Sequence, residues 1–82
     1  MTTQMNPDLT LDQQGFLCPM PIINAENAIS GLTAGQIMEV LCTDPGSKSD
    51  FKAWSRRRGH KILSESEEGS PVVYKFYIEK GG

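Results

Sequence analysis

Gly15-Phe16-Leu17-Cys18-Pro19-Met20-Pro21 decides how the rest of the chain is arranged, because two prolines and a glycine bracket a single reactive side chain. Proline inside a helix loses a hydrogen bond and clashes with the preceding turn, at a cost of ~3 kcal/mol or more. In the first turn its missing N–H is no loss. The pair Pro19 and Pro21 therefore marks a helix start, and the restriction on residues before proline makes Cys18 and Met20 the last extended positions. This places Cys18 at the helix N-terminus, where unpaired amides and the macrodipole favour an anion such as thiolate and lower the thiol pKa. Gly15 lets the backbone turn tightly just before it. The expectation is a nucleophilic, partly exposed Cys18; the structural alternative is a small buried hydrophobe beside a Pro-rich loop.

Upstream, Leu9-Thr10-Leu11-Asp12 alternates apolar with polar residues as a short strand does, after a polar leader over residues 1–8. Downstream, Ile22, Ala25, Ile29 and Leu32 recur at helical spacing, giving an amphipathic helix from Pro21 that ends near Gly31. Gln36 to Cys42 reads as a strand whose positions Met38, Val40 and Cys42 face the helix, so Cys42 is expected to be a packing residue and not a second catalytic thiol.

Thr43-Asp44-Pro45-Gly46-Ser47 carries helix-start chemistry: Asp44 can cap, and Ser47 with Asp50 has capping-box spacing. A second helix is expected over Ser47 to Arg58, with Phe51 and Trp54 on its core face and Gly59 as C-cap. Arg56, Arg57 and Arg58 either sit in solvent at a favourable helix C-terminus or form a docking patch for an acidic protein or RNA phosphate. The lone His60 reads as a surface loop residue. Lys61 to Ser66 is a third strand, Glu67 to Pro71 a turn, and Val72 to Lys80 a fourth strand with Val72, Tyr74, Phe76 and Ile78 on one face.

These elements predict an α/β two-layer sandwich in the order β-α-β-α-β-β. A four-stranded mixed sheet would carry two helices on one face, with the first two strands parallel and the last two a hairpin. One domain is expected over residues 9–80, with residues 81–82 a frayed tail. The 82 residues suffice for a single modest core, and the net charge of −2 argues against a dedicated nucleic-acid or anionic-membrane binder. No apolar run suits a signal peptide or membrane span, so a cytoplasmic location is expected, where the two cysteines stay free thiols. Cys18, Cys42 and His60 lack metal-ligand spacing, so no metal and no cofactor are expected.

With Leu11-Asp12-x-x-Gly15-x-x-Cys18-Pro19-x-Pro21 joined to this element order, the chain resembles the TusA (SirA-like) family of small sulfur carrier proteins. Cys18-Pro19-Met20-Pro21 is similar to the family's Cys-Pro-x-Pro motif. Thr43 to Ser47 with Asp50-Phe51 resembles the second-helix start of members from sulfur-oxidising bacteria, and Tyr74 to Gly82 resembles the last strand and tail. The resemblance implies that Cys18 accepts sulfane sulfur as a persulfide, with Gly15, Pro19 and Pro21 supporting the motif. It also implies a protein donor of the cysteine desulfurase or rhodanese type and an acceptor such as a DsrE-like relay protein.

Apolar Phe16, Leu17 and Met20 around the thiol would meet an apolar socket on a partner, and Arg56 to Arg58 are further docking candidates. Leu17 and Asn24-Ala25-Glu26-Asn27 stand where members acting on tRNA often carry basic residues, which leans the reading toward sulfur trafficking or oxidation. Two alternatives stay open. One is a non-catalytic interaction or regulatory module. The other is a carrier that works through a thiocarboxylate on the terminal Gly81-Gly82.

Overall fold

A computed structural model describes residues 6–81. Six elements follow in the expected order: β1 (Leu9–Gln13), α1 (Met20–Ile29), β2 (Ile37–Cys42), α2 (Ser47–Arg58), β3 (Lys61–Glu68) and β4 (Val73–Glu79). They form a four-stranded sheet of order β1-β2-β4-β3, with β1 and β2 parallel and the other pairings antiparallel. The parallel pair fixes the geometry of interest. Because β1 and β2 run the same way, the loops that leave them for α1 and α2 emerge at the same end of the sheet, outside the carboxyl ends of the strands.

The period of two in the strands and about 3.6 in the helices brings one set of apolar side chains together. Met38, Val40 and Cys42 from β2 and Phe76 and Ile78 from β4 are fully buried beneath Ala25 and Ile29 of α1 and Phe51 and Trp54 of α2. The Phe51 ring lies 5.0 Å from Phe76 and 5.7 Å from Trp54, the latter edge to face. The opposite sheet face mixes polar side chains with Ile37, Leu41 and Val73. There Thr10 Oγ1 and Tyr77 Oη donate to the two carboxylate oxygens of Glu39 at 3.0 and 2.9 Å, bridging three neighbouring strands.

Several local expectations are corrected. Met20 is helical although it precedes Pro21, with Pro19 as N-cap at φ −96° and ψ 10°, so the helix begins one residue earlier than expected. Val72 lies in the turn before β4 and is exposed, while β3 extends to Glu68 and carries an irregularity between Ile62 and Ser64. The capping box at α2 does not form, since Gly46 is the N-cap without a side-chain bond and the buried Ser47 hydroxyl finds no partner among the described residues. Gly59 closes α2 in the left-handed conformation at φ 76°, as expected of a C-cap glycine.

His60 lies in the link between α2 and β3, as expected, but it is not free in solvent. Its ring is half-buried 5.0 Å from that of Trp54, its Nδ1 accepts the Gly81 N–H at 3.0 Å, and burial lowers its pKa. Of the expected leader, residues 1–5 lie outside the described residues, while Asp8 exchanges hydrogen bonds with Ile37 through its N–H and its carboxylate. Gly82 also lies outside the described residues.

Candidate functional site

The loop from β1 to α1 is held at both ends and in its middle. Gln13, buried at the end of β1, accepts a hydrogen bond from Asn24 of α1 at 2.6 Å. The Phe16 N–H donates to the Gln13 carbonyl at 3.2 Å, closing a turn in which Gly15 has φ +88°, a value L side chains rarely adopt. Two bonds then tie this loop to the neighbouring β2–α2 loop. The Gly15 N–H donates to Thr43 Oγ1 at 2.9 Å, and the Cys18 N–H donates to Asp44 Oδ2 at 2.8 Å. The other Asp44 oxygen accepts the Gly46 N–H at 3.1 Å, so one carboxylate organises both loops. The Cys18–Pro19 peptide bond is cis.

On this support Cys18 is exposed while Cys42 is buried, and both are free thiols. Phe16, Leu17, Met20 and Ile23, all large exposed apolar residues of the same loop and of the first helical turn, flank the thiol along the chain, with Leu17 the most open at 72%. Pro21 turns inward and is buried. The Cys18 sulfur and carboxylate oxygens of Asp44 and Asp50 all lie within 4.8 Å of one another.

This arrangement corrects the expected electrostatics. The thiol pKa is raised, chiefly because the Asp50 carboxylate accepts from the protonated thiol, with desolvation and the charges of Asp50 and Asp44 adding to it. The reason is visible in the first turn of α1. The Met20 N–H donates to Leu17, Pro21 has none, and the Ile22 and Ile23 N–H groups both donate to the Pro19 carbonyl. The amides of that turn are already bonded, and the charges beside the sulfur are the two carboxylates.

Nothing in the spacing from Cys18 to Asp44 or Asp50 shows this meeting. A signal existed in the topology, because parallel β1 and β2 must place the two loops side by side. The three groups include two hard oxygen donors and one thiol, all in contact with solvent or with each other, and that set alone defines no metal site.

Arg56, Arg57 and Arg58 lie at the far end of α2 from Asp50, about 9 Å along the axis for the six residues to Arg56. They do not act as a unit. Arg58 Nε donates to Glu26 Oε1 at 3.0 Å, and the same oxygen accepts from Trp54 Nε1 at 2.9 Å, so Arg58 joins α2 to α1. Arg56 instead borders a groove of about 590 Å³ between α2 and β3, shared with Lys52, His60 and Lys61.

These features define a two-layer α/β domain that presents one thiol at its rim. The family model described as Sulfurtransferase TusA matches residues 9–80, and the chain belongs to this TusA sulfur carrier family. It is 46% identical to YrkI of Bacillus subtilis over 77 residues, covering 94% of this chain and 100% of YrkI. It is 37% identical to the sulfur carrier protein TusA of Allochromatium vinosum over 73 residues, covering 89% of this chain and 93% of that protein. Among solved structures it is similar to a SirA-like protein from Desulfitobacterium hafniense. That similarity has a TM-score of 0.77 and 27% identity, and covers 90% of this chain and 99% of the other.

Proposed function

We propose that Cys18 carries sulfane sulfur as a persulfide, taken from a donor protein and passed to an acceptor protein. The observation that carries this reading is the contrast between the two thiols: Cys18 is exposed on a loop tied down on both sides, and Cys42 is sealed in the core. In loading, the Cys18 thiolate attacks the outer sulfur of a donor persulfide. A Cys18–sulfur bond forms, the donor's sulfur–sulfur bond breaks, and the donor leaves as a thiolate. Unloading is the same step with the acceptor thiolate as nucleophile and Cys18 as leaving group. No net oxidation occurs in either direction.

The exposed Phe16, Leu17 and Met20, joined by Ile23, supply the apolar contact for each partner in turn. Gly15, Pro19 and Pro21 keep the thiol at the surface by fixing the turn before it and the helix after it. Donors of the cysteine desulfurase or rhodanese type, and a relay acceptor in sulfur trafficking, fit this chemistry. A cytoplasmic location fits too, since a reducing compartment keeps both cysteines as thiols.

The test is to incubate the protein with a cysteine desulfurase and cysteine, or with a rhodanese and thiosulfate, and to read its intact mass. A gain of one sulfur, reversed by dithiothreitol and absent from Cys18→Ser, is expected. An unchanged mass with both donors would leave the non-catalytic module as the better reading.

A further inference from the structure

We infer that Asp44 and Asp50 make Cys18 selective for partners whose reacting sulfur is flanked by lysine or arginine on an otherwise apolar surface. The inference deepens the carrier reading and rests on it for the identity of the reaction, though not for the selectivity itself.

The thiol combines two kinds of neighbour. Exposed Phe16, Leu17, Met20 and Ile23 flank it along the chain, and the carboxylate oxygens of Asp44 and Asp50 lie within 4.8 Å of the sulfur and of each other. Like Asp8, Asp12, Glu65 and Glu79, and unlike Glu26, Glu39, Glu67 and Glu68, neither carboxylate has a lysine or arginine within 4.0 Å among the described residues, but only Asp44 and Asp50 stand beside the exposed thiol. Asp44 is held by the Cys18 and Gly46 N–H groups, and Asp50 stands in the first turn of α2. Asp44 is thereby kept beside the sulfur, and Asp50 lies next to both.

Any molecule that reaches the sulfur must approach this pair. An approaching cation is attracted, and an anion is repelled, over distances set by a Debye length of about 8 Å at physiological salt. The cation has a second effect. The carboxylates favour the protonated thiol, so a positive group placed against them offsets that bias and makes the thiolate easier to form at the moment of contact. In the free protein the same pair keeps the exposed thiol guarded against adventitious chemistry.

Simple disulfides serve as probes of defined charge. In each, the Cys18 thiolate attacks one sulfur, a mixed disulfide forms, and the other half leaves as a thiolate. Rates of adduct formation at Cys18 are compared for cystamine, bis(2-hydroxyethyl) disulfide and dithiodiglycolate, each normalised to its rate with N-acetylcysteine methyl ester at the same pH. At low salt the normalised cystamine rate should exceed that of dithiodiglycolate by about tenfold or more, with the neutral disulfide between them. Molar salt should compress the series to about twofold.

Asp50→Asn should compress it at low salt as well, and Asp50→Glu should restore it. Equal normalised rates in the wild-type protein at low salt would overturn the inference, as would a series that Asp50→Asn leaves intact. If Asp50→Asn does not fold, the salt series on the wild-type chain decides alone. Charge selectivity without persulfide loading would defeat the carrier reading and leave this inference standing; loading without charge selectivity would do the reverse.

Discussion

Glu26 is where the two helices are fastened together, and its removal offers a worked test of how the scaffold holds the thiol loop. One carboxylate oxygen accepts Trp54 Nε1 at 2.9 Å and Arg58 Nε at 3.0 Å, joining α1 to α2. Trp54 is 1% exposed, so Glu26→Ala strands a buried donor, which costs about 1–3 kcal/mol. The Glu26 side chain is 40% exposed, so water can reach part of the vacated space, and the lower half of that range, about 1–2 kcal/mol, is expected.

At about 4–8 °C per kcal/mol for a domain of this size, the melting temperature should fall by roughly 4–16 °C. Glu26→Gln keeps an acceptor for Trp54 and loses only a surface ion pair, worth about 0–1 kcal/mol. The pH dependence has a definite sign. The Trp54 bond, with Arg58 and His60, holds the Glu26 pKa below its ordinary 4.5. Its contribution is thus fully present above 4.5 and lost as pH falls through the lower folded value.

The gap between wild type and Glu26→Gln should close on acidification. Denaturant unfolding followed by the fluorescence of Trp54, the single tryptophan, measures all three proteins. A Glu26→Ala protein with the wild-type midpoint and slope would refute the reasoning.

Other predictions concern the site and its support. Cys42→Ala should cost about 1–2 kcal/mol by opening a small cavity in the core and leave sulfur loading intact; a variant that folds but cannot load would reassign the roles of the two thiols. The pH profile of Cys18 alkylation by iodoacetamide should have its midpoint above the ordinary cysteine range, and Asp50→Asn should move it down, because the Asp50 carboxylate favours the protonated thiol; an unmoved profile would show that Asp50 does not set the thiol's protonation. Reversing the charges of Arg56 and Arg57 should weaken partner docking in a salt-dependent way without lowering stability, whereas Arg58→Glu should also destabilise through Glu26. Equal stability losses for the two variants would show that Arg58 has no special part.

Much of the fold was legible because its signals are local. The alternation of Met38, Val40 and Cys42 set the buried face of β2, and the range Ser47–Arg58 with Gly59 behind it marked α2 to the residue. Pro19 and Pro21 marked the start of α1 within one residue, the difference arising because Met20 tolerates a helical conformation before Pro21. What could not be read depends on chain segments far apart in sequence.

The thiol's electrostatic surroundings come from Asp44 and Asp50, which the parallel pairing of β1 and β2 brings beside Cys18. Helix-start reasoning predicted a lowered thiol pKa because it counted amides that are in fact bonded within the turn. Likewise, the partial burial of His60 within its loop was hidden because its partners, Trp54 and Gly81, meet it only in the folded chain. The division of labour within Arg56 to Arg58 was hidden for the same reason.

The central claim is that sulfur passes through Cys18. The direct measurement loads the protein with radiolabelled sulfur, separates it from the donor, maps the label by peptide, and then adds cyanide to collect the sulfane sulfur as thiocyanate. The account predicts label on the Cys18 peptide alone and its stoichiometric release by cyanide. It also predicts the same result with Cys42→Ala and none with Cys18→Ser. Label retained by Cys18→Ser, or found on the Cys42 peptide, would contradict it.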